Sequence, residues 1–132
     1  MAESVAKGQL VELRPKKRRT VADRWTPALA KAGHVPIVRT FLRMYSRMKP
    51  AINVGEAMFI VHLMDFKWDV DAPFPGYKTL GKYMGISDKM ARRHAQNLEV
   101  KGYLVREMRV AQTNKFDLSP LFQALERALT VK

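Results

Sequence analysis

The chain has 132 residues, 24 Lys+Arg against 12 Asp+Glu, a formal net charge of +12, 47% hydrophobic residues and no cysteine. That length suits one domain with a core plus a tail, and the missing cysteines exclude disulfides, zinc–cysteine sites and thiol catalysis. No apolar run, Ala57–Val61 included, approaches the ~20 residues of a membrane span, and no secretory-type apolar core stands near the start, so a cytoplasmic, nucleoid-associated protein with a polyanionic partner is expected.

Residues 1–33 carry eight basic and three acidic residues, and the remainder sixteen and nine, so both parts are cationic. The first part holds the run Lys16-Lys17-Arg18-Arg19 and no helix or strand period. It reads as a flexible tail whose basic run is either a phosphate-gripping arm or a solvated charged stretch. From Val35 the pattern changes. Ile37, Phe41, Leu42, Met44, Tyr45 and Met48 recur at three- and four-residue steps, with Arg39, Arg43 and Arg47 as a basic stripe. This predicts an amphipathic helix over about 35–49, stopped by Pro50. Asn53 followed by Glu56 resembles a capping box. Ala57, Met58, Ile60, Val61, Met64 and Trp68 then predict a central core helix. Asp69–Gly76, with two prolines and a glycine, is a loop.

The next segment, Tyr77 to Leu104, predicts two helices joined by a tight turn. The first runs from about Tyr77 to Met84, with Leu80 and Met84 inward, and Gly85 supplies left-handed geometry at its end. Ile86 plugs the turn and Ser87 caps the second helix, which spans about Asp88–Lys101. Asp88 suits the positive end of that helix. Ala91, Ala95 and Leu98 share its inner face. Lys89, Arg92, Arg93 and Gln96 share the outer one, and long cationic and amide side chains on an exposed helix are what major-groove reading uses. Tyr103–Val110 has strand character, Ala111–Asn114 is turn-like, and Lys115–Leu118 is a second short strand. Arg106, Arg109, Asn114 and Lys115 on this hairpin are candidates to reach phosphate or a minor groove. Ser119-Pro120 opens a last helix as N-cap and first position, with Leu121, Phe122, Leu125 and Leu129 on its apolar face.

The pattern Leu80…Met84-Gly85-Ile86-Ser87…Ala91…Leu98-Glu99…Lys101-Gly102-Tyr103-Leu104 resembles the helix-turn-helix of winged-helix regulators of the GntR and MarR type and of plasmid and phage replication initiators of the RepA/DnaD type. The segment Ala57–Asp69 resembles the first core helix of such initiators, and the resemblance covers about residues 35–130. It implies a mostly α fold with a small β-hairpin wing: a winged helix-turn-helix over 34–132 with an extra N-terminal helix and a C-terminal helix. It also implies DNA contacts by Lys89, Met90, Arg92, Arg93 and Gln96, and phosphate contacts at Tyr77, Lys78 and Thr79. Met90 departs from the threonine many relatives carry. No effector domain accompanies the motif, so small-molecule sensing is not implied.

Catalytic readings find little support. His34, His62 and His94 share no helical spacing and read as packed or hydrogen-bonded histidines rather than ligands. Asp65, Asp69 and Asp71 fit helix termination and solvation better than a magnesium site. Gly81-Lys82 lacks the rest of a phosphate loop. The expectation is therefore a non-enzymatic protein without cofactor or metal. It binds double-stranded DNA in replication initiation or transcriptional control on a prokaryotic mobile element. A homodimer through the helix at 35–49 and the last helix is compatible with this, as are other proteins of a nucleoprotein complex. The competing reading is a non-catalytic winged-helix subunit of a larger protein or ribonucleoprotein assembly.

Overall fold

A computed structural model describes residues 24–67 and 72–130. The chain divides between His34 and Val35. In the first part a single turn-and-a-half of helix, α1 (Pro27–Ala32), stands where no regular element is expected from the sequence. Its signals are at its ends. Thr26 Oγ1 accepts from Leu29 N at 3.2 Å, Pro27 takes the first helical position, and Gly33 follows with φ +118°. Six residues with none buried leave no period to read. The Lys16–Arg19 arm lies outside the described residues.

The second part holds α2 (Arg39–Met44), a 3-10 turn (Tyr45–Arg47), α3 (Val54–Asp65), α4 (Tyr77–Met84), α5 (Asp88–Val100), β1 (Val105–Glu107), β2 (Lys115–Asp117) and α6 (Ser119–Thr130). The helix expected over 35–49 is shorter at both ends. Val38 remains extended after Pro36, and the α-helix tightens into the 3-10 turn before Pro50. Asn53 and Glu56 form the expected capping box, Glu56 N to Asn53 Oδ1 at 2.8 Å and Asn53 N to Glu56 Oε1 at 3.1 Å.

The core is made where α3, α4 and α5 pack together, with α2 against α6 and the hairpin base adding Phe116. Phe41, Phe59, Ile60, Leu63, Leu80, Ala91, Ala95, Leu98 and Leu121 have no accessible surface. Each large apolar side chain so buried contributes about 1.5–3 kcal/mol. α3 was expected to bury Met58, which is 44% exposed; Phe59 and Leu63 point inward instead. A helix apolar on nearly all sides does not announce its inner face. The hairpin pairs antiparallel, with Arg106 opposite Phe116. Its first strand is shorter than expected. Tyr103 and Leu104 leave the ladder for the core, while Met108 and Val110 project at the exposed tip. Leu118 likewise belongs to the core rather than to β2. Helix α6 takes its cap from Asp117, whose Oδ1 accepts from Ser119 N at 2.9 Å, so Ser119 is its first residue rather than its N-cap. Leu129, expected on the inner face, is exposed.

Candidate nucleic-acid interface

The turn between α4 and α5 is set by two glycines. Gly85 adopts φ +75°, and both its N–H and that of Ile86 reach Gly81 O. A Cβ on Gly81 would stand 2.7 Å from Ile86 O and 3.3 Å from Ser87 C, so only glycine lets the turn close against α4. Ser87 Oγ then accepts from Met90 N at 3.0 Å and starts α5. Ala91, Ala95 and Leu98 are fully buried against α3 and α4, and that fixes which side of α5 faces out. Lys89, Met90, Arg92, Arg93 and Gln96 lie on that outer side, all exposed. Lys89, Arg93 and Gln96 hold no hydrogen bond or ion pair among the described residues, whereas Arg92 Cζ lies 5.1 Å from the centroid of the Tyr77 ring.

Tyr77 links this helix to the wing. Its ring packs edge-on to Phe116 at 5.7 Å, and Phe116 packs edge-on to Phe59 in the core at 5.9 Å. Its hydroxyl accepts from Arg106 Nη1 at 3.1 Å and Asn114 Nδ2 at 3.4 Å. Arg106 also donates Nε and Nη2 to Glu99 Oε1 at 3.0 and 2.8 Å. The Glu99 bond above all, then the Tyr77 bond, raises the Arg106 pKa beyond its ordinary value. Arg106 is thus engaged as a strut between α5, α4 and β1. Arg109 is engaged too, donating to Thr113 O at 2.7 Å and stacking 4.9 Å from the Phe74 ring centroid. Thr113 Oγ1 in turn donates to Phe74 O at 2.5 Å, and Phe116 N to Pro73 O at 2.8 Å, which ties the wing to the loop before α4. Lys115 is half-buried on β2, Lys78 is exposed on the first turn of α4, and Thr79 is half-buried beside it. No side chain caps α4, whose N-cap is Gly76.

Two contacts were not legible as functional positions. Lys101, at the end of α5, reaches the buried Glu56 at 2.6 Å and Ala51 O at 2.8 Å, and so clamps α5 to the start of α3. The His94 ring lies against Gly55, where an added Cβ would come within 2.7 Å of Cε1. Its Nδ1 is buried without a hydrogen-bond partner among the described residues, and its ring faces Phe59. These are packing contacts between α3 and α5. His34 faces Trp25, 5.7 Å between ring centroids, and His62 is half-buried on α3. No three His, Cys, Asp or Glu side chains gather among the described residues in a way that could hold a metal ion. No described helix is long and apolar enough to cross a membrane.

Residues 52–104 match the family model of a helix-turn-helix domain. Among solved structures, the N-terminal domain of the DnaD protein from Geobacillus kaustophilus HTA426 is similar with a TM-score of 0.60 at 21% identity, over 78% of this chain and 86% of that one. No curated protein matches the sequence. The family match spans α3 through the end of the α4–turn–α5 unit, and the antiparallel hairpin follows that unit directly, so the fold is that of a winged helix-turn-helix.

Proposed function

We propose that this protein is a non-catalytic binder of double-stranded DNA, with α5 in the major groove. The observation that carries this reading is the outer side of α5. Lys89, Arg93 and Gln96 stand exposed and unengaged on a helix whose opposite side is locked into the core. Arginine can pair bidentately with guanine and glutamine with adenine, and each such pair discriminates by about 1–3 kcal/mol. Arg92, guided by the Tyr77 ring, and Met90 flank them. The uncapped start of α4 offers backbone N–H groups to a phosphate beside Tyr77, Lys78 and Thr79. Lys115 and Asn114 on the wing meet the neighbouring backbone. Arg106 and Arg109 shape the wing rather than touch DNA. Replication initiation or transcriptional control on a prokaryotic mobile element is the biological setting this arrangement suits.

The test is duplex binding by fluorescence anisotropy across a salt series. Arg93→Ala should weaken binding to a selected duplex by about 1–3 kcal/mol and relax its preference over random duplexes. Each phosphate neutralised should add about −0.9 to the log–log salt slope. Unchanged affinity and selectivity in the variant would remove α5 as the reading helix.

A homodimer is part of the same proposal. A groove of about 400 Å³ runs between α2 and α6; Val38, Phe122, Leu125 and Leu129 give it its apolar lining, and Gln123 and Glu126 also border it. Val38 and Leu129 are 46% and 64% exposed. A second copy covering this groove would set two α5 helices for a two-fold DNA site. Sedimentation should show a dimer that Leu129→Glu dissociates; a monomer at all concentrations, with and without duplex, refutes it.

A further inference from the structure

A different cleft, of about 660 Å³, opens between the 3-10 turn, the C-terminal end of α5 and α6. Arg47, Lys49, Lys101 and Arg127 line it, and no acidic side chain among the described residues does. Lys101 is neutralised by Glu56. The other three are not. Arg47 donates to neutral acceptors, Arg43 O at 3.0 Å and Met44 Sδ at 3.7 Å, and neither Lys49 nor Arg127 has an ion-pair partner among the described residues. Three unopposed cations therefore converge on one concave surface, which raises the local positive potential above that of an evenly mixed surface.

The floor of this cleft is apolar. Met44, Met48, Pro50 and Tyr103 form it, and the Tyr103 hydroxyl is turned to Pro50 O, at 2.5 Å. Methionine side chains adapt their shape to an incoming apolar group. A nucleic-acid backbone could use the cations but brings no aliphatic side chain for the floor. A peptide segment that alternates carboxylates with leucine or phenylalanine uses both. The cleft lies at the C-terminal end of the reading helix. Lys101 stands twelve residues beyond Lys89 and five beyond Gln96, about 18 and 8 Å along the helix axis.

We propose that this cleft docks a short acidic, apolar-anchored peptide segment of a partner protein, at the opposite end of α5 from the DNA-reading residues. The chemistry is charge complementarity at the rim and an aliphatic or aromatic anchor on the methionine floor. It does not depend on the DNA reading.

The experiment uses the full chain and a fluorescein-labelled peptide in which Glu alternates with Leu and Phe, read by anisotropy. The expected result is saturable binding, at least about tenfold tighter than that of a peptide with serine at each apolar position. Arg47→Glu/Arg127→Glu should lose at least about tenfold, with its circular-dichroism melt unchanged. Lys49→Glu, a single exposed change, should move affinity the same way by a smaller factor. An excess of unlabelled duplex should leave the peptide bound. Failure of the peptide to bind, equal affinity for the serine peptide, indifference to the charge reversals, or complete displacement by duplex would each overturn the proposal, the last by making the cleft part of a nucleic-acid surface.

Discussion

Replacing Lys101 by methionine keeps the length and apolar stem of the side chain and removes only its charge. The cost follows from what the ammonium touches. Glu56 is 1% exposed and Lys101 24%. Removing one member of a buried ion pair costs about 3–5 kcal/mol, because the partner is left charged and unpaired. Two features reduce this here. Glu56 keeps the Asn53 N–H as a donor, and the Lys101 side is partly wet, so about 2–4 kcal/mol is expected. Ala51 O loses its donor as well. In a domain whose total stability is about 5–15 kcal/mol, this is a large fraction. At about 4–8 °C per kcal/mol for a domain of this size, the Tm should fall by about 8–32 °C. Urea denaturation gives the free energy and calorimetry the Tm. Adding Glu56→Gln to Lys101→Met should restore about half of the loss, because the amide still accepts from Asn53 and no charge is then stranded. A loss below about 0.5 kcal/mol in the single variant would refute the reasoning. It would mean that Glu56 does not need Lys101 and that the clamp between α3 and α5 is incidental.

Three further outcomes are expected. Gly81→Ala should destabilise the domain by about 1–3 kcal/mol in urea, since its Cβ meets backbone rather than a movable side chain; a variant as stable as the parent would show that the turn can retreat. Arg106→Gln should weaken duplex binding about equally for selected and random sequences, because it loosens the wing without touching the bases; a change in base preference measured by competition would make Arg106 a contact instead. Hydrogen bonds from Ser119 hold the Asp117 carboxyl below its ordinary value of 3.8, so this group adds stability that is full above that value and is lost as the pH falls through the lower, folded one. Asp117→Asn should therefore cost about 0.5–1 kcal/mol at neutral pH, as a weakened cap, and the gap should close in strong acid; a gap that widens below pH ~4 would contradict that sign.

The elements readable in the sequence are those whose signals are local. α4 and α5 fall within a residue of the expected bounds because each end carries its own chemistry: Gly85 in left-handed geometry, Ser87 as cap, Gly102 at φ +87°. The Asn53–Glu56 box marked the start of α3 in the same way. What could not be read depends on contacts far along the chain. Glu56 and Lys101 stand 45 positions apart, and nothing between them says that they pair. The inner face of α3 is decided by α5 and the wing rather than by its own pattern, so Met58 was misplaced and Phe59 overlooked. The α2 region shows the limit of periodicity. Spacing predicts fifteen helical residues or so, but Val38 stays extended, the last turn tightens to 3-10 and Pro50 stops the helix.

The same distinction governs the candidate site. Sequence ranks every arginine near a helix-turn-helix alike, because it registers charge and not what the charge faces. The fold divides them. Arg106 has a carboxylate and a phenol within reach, and Arg109 a carbonyl and an aromatic ring, so both are fixed before any ligand arrives. To take such an arginine away from its partners for a phosphate would cost the hydrogen bonds it already makes and leave Glu99 unneutralised. Arg93 and Lys89 carry no such cost. Their charge is exposed on a rigid helix, so what they gain from a polyanion is offset chiefly by their own side-chain entropy. The internal ion pairs therefore support recognition indirectly, by holding still the elements that present the unpaired cations. The excess of positive charge over the chain suits a polyanion, and on the proposed DNA-binding reading the unengaged side chains are where it would sit.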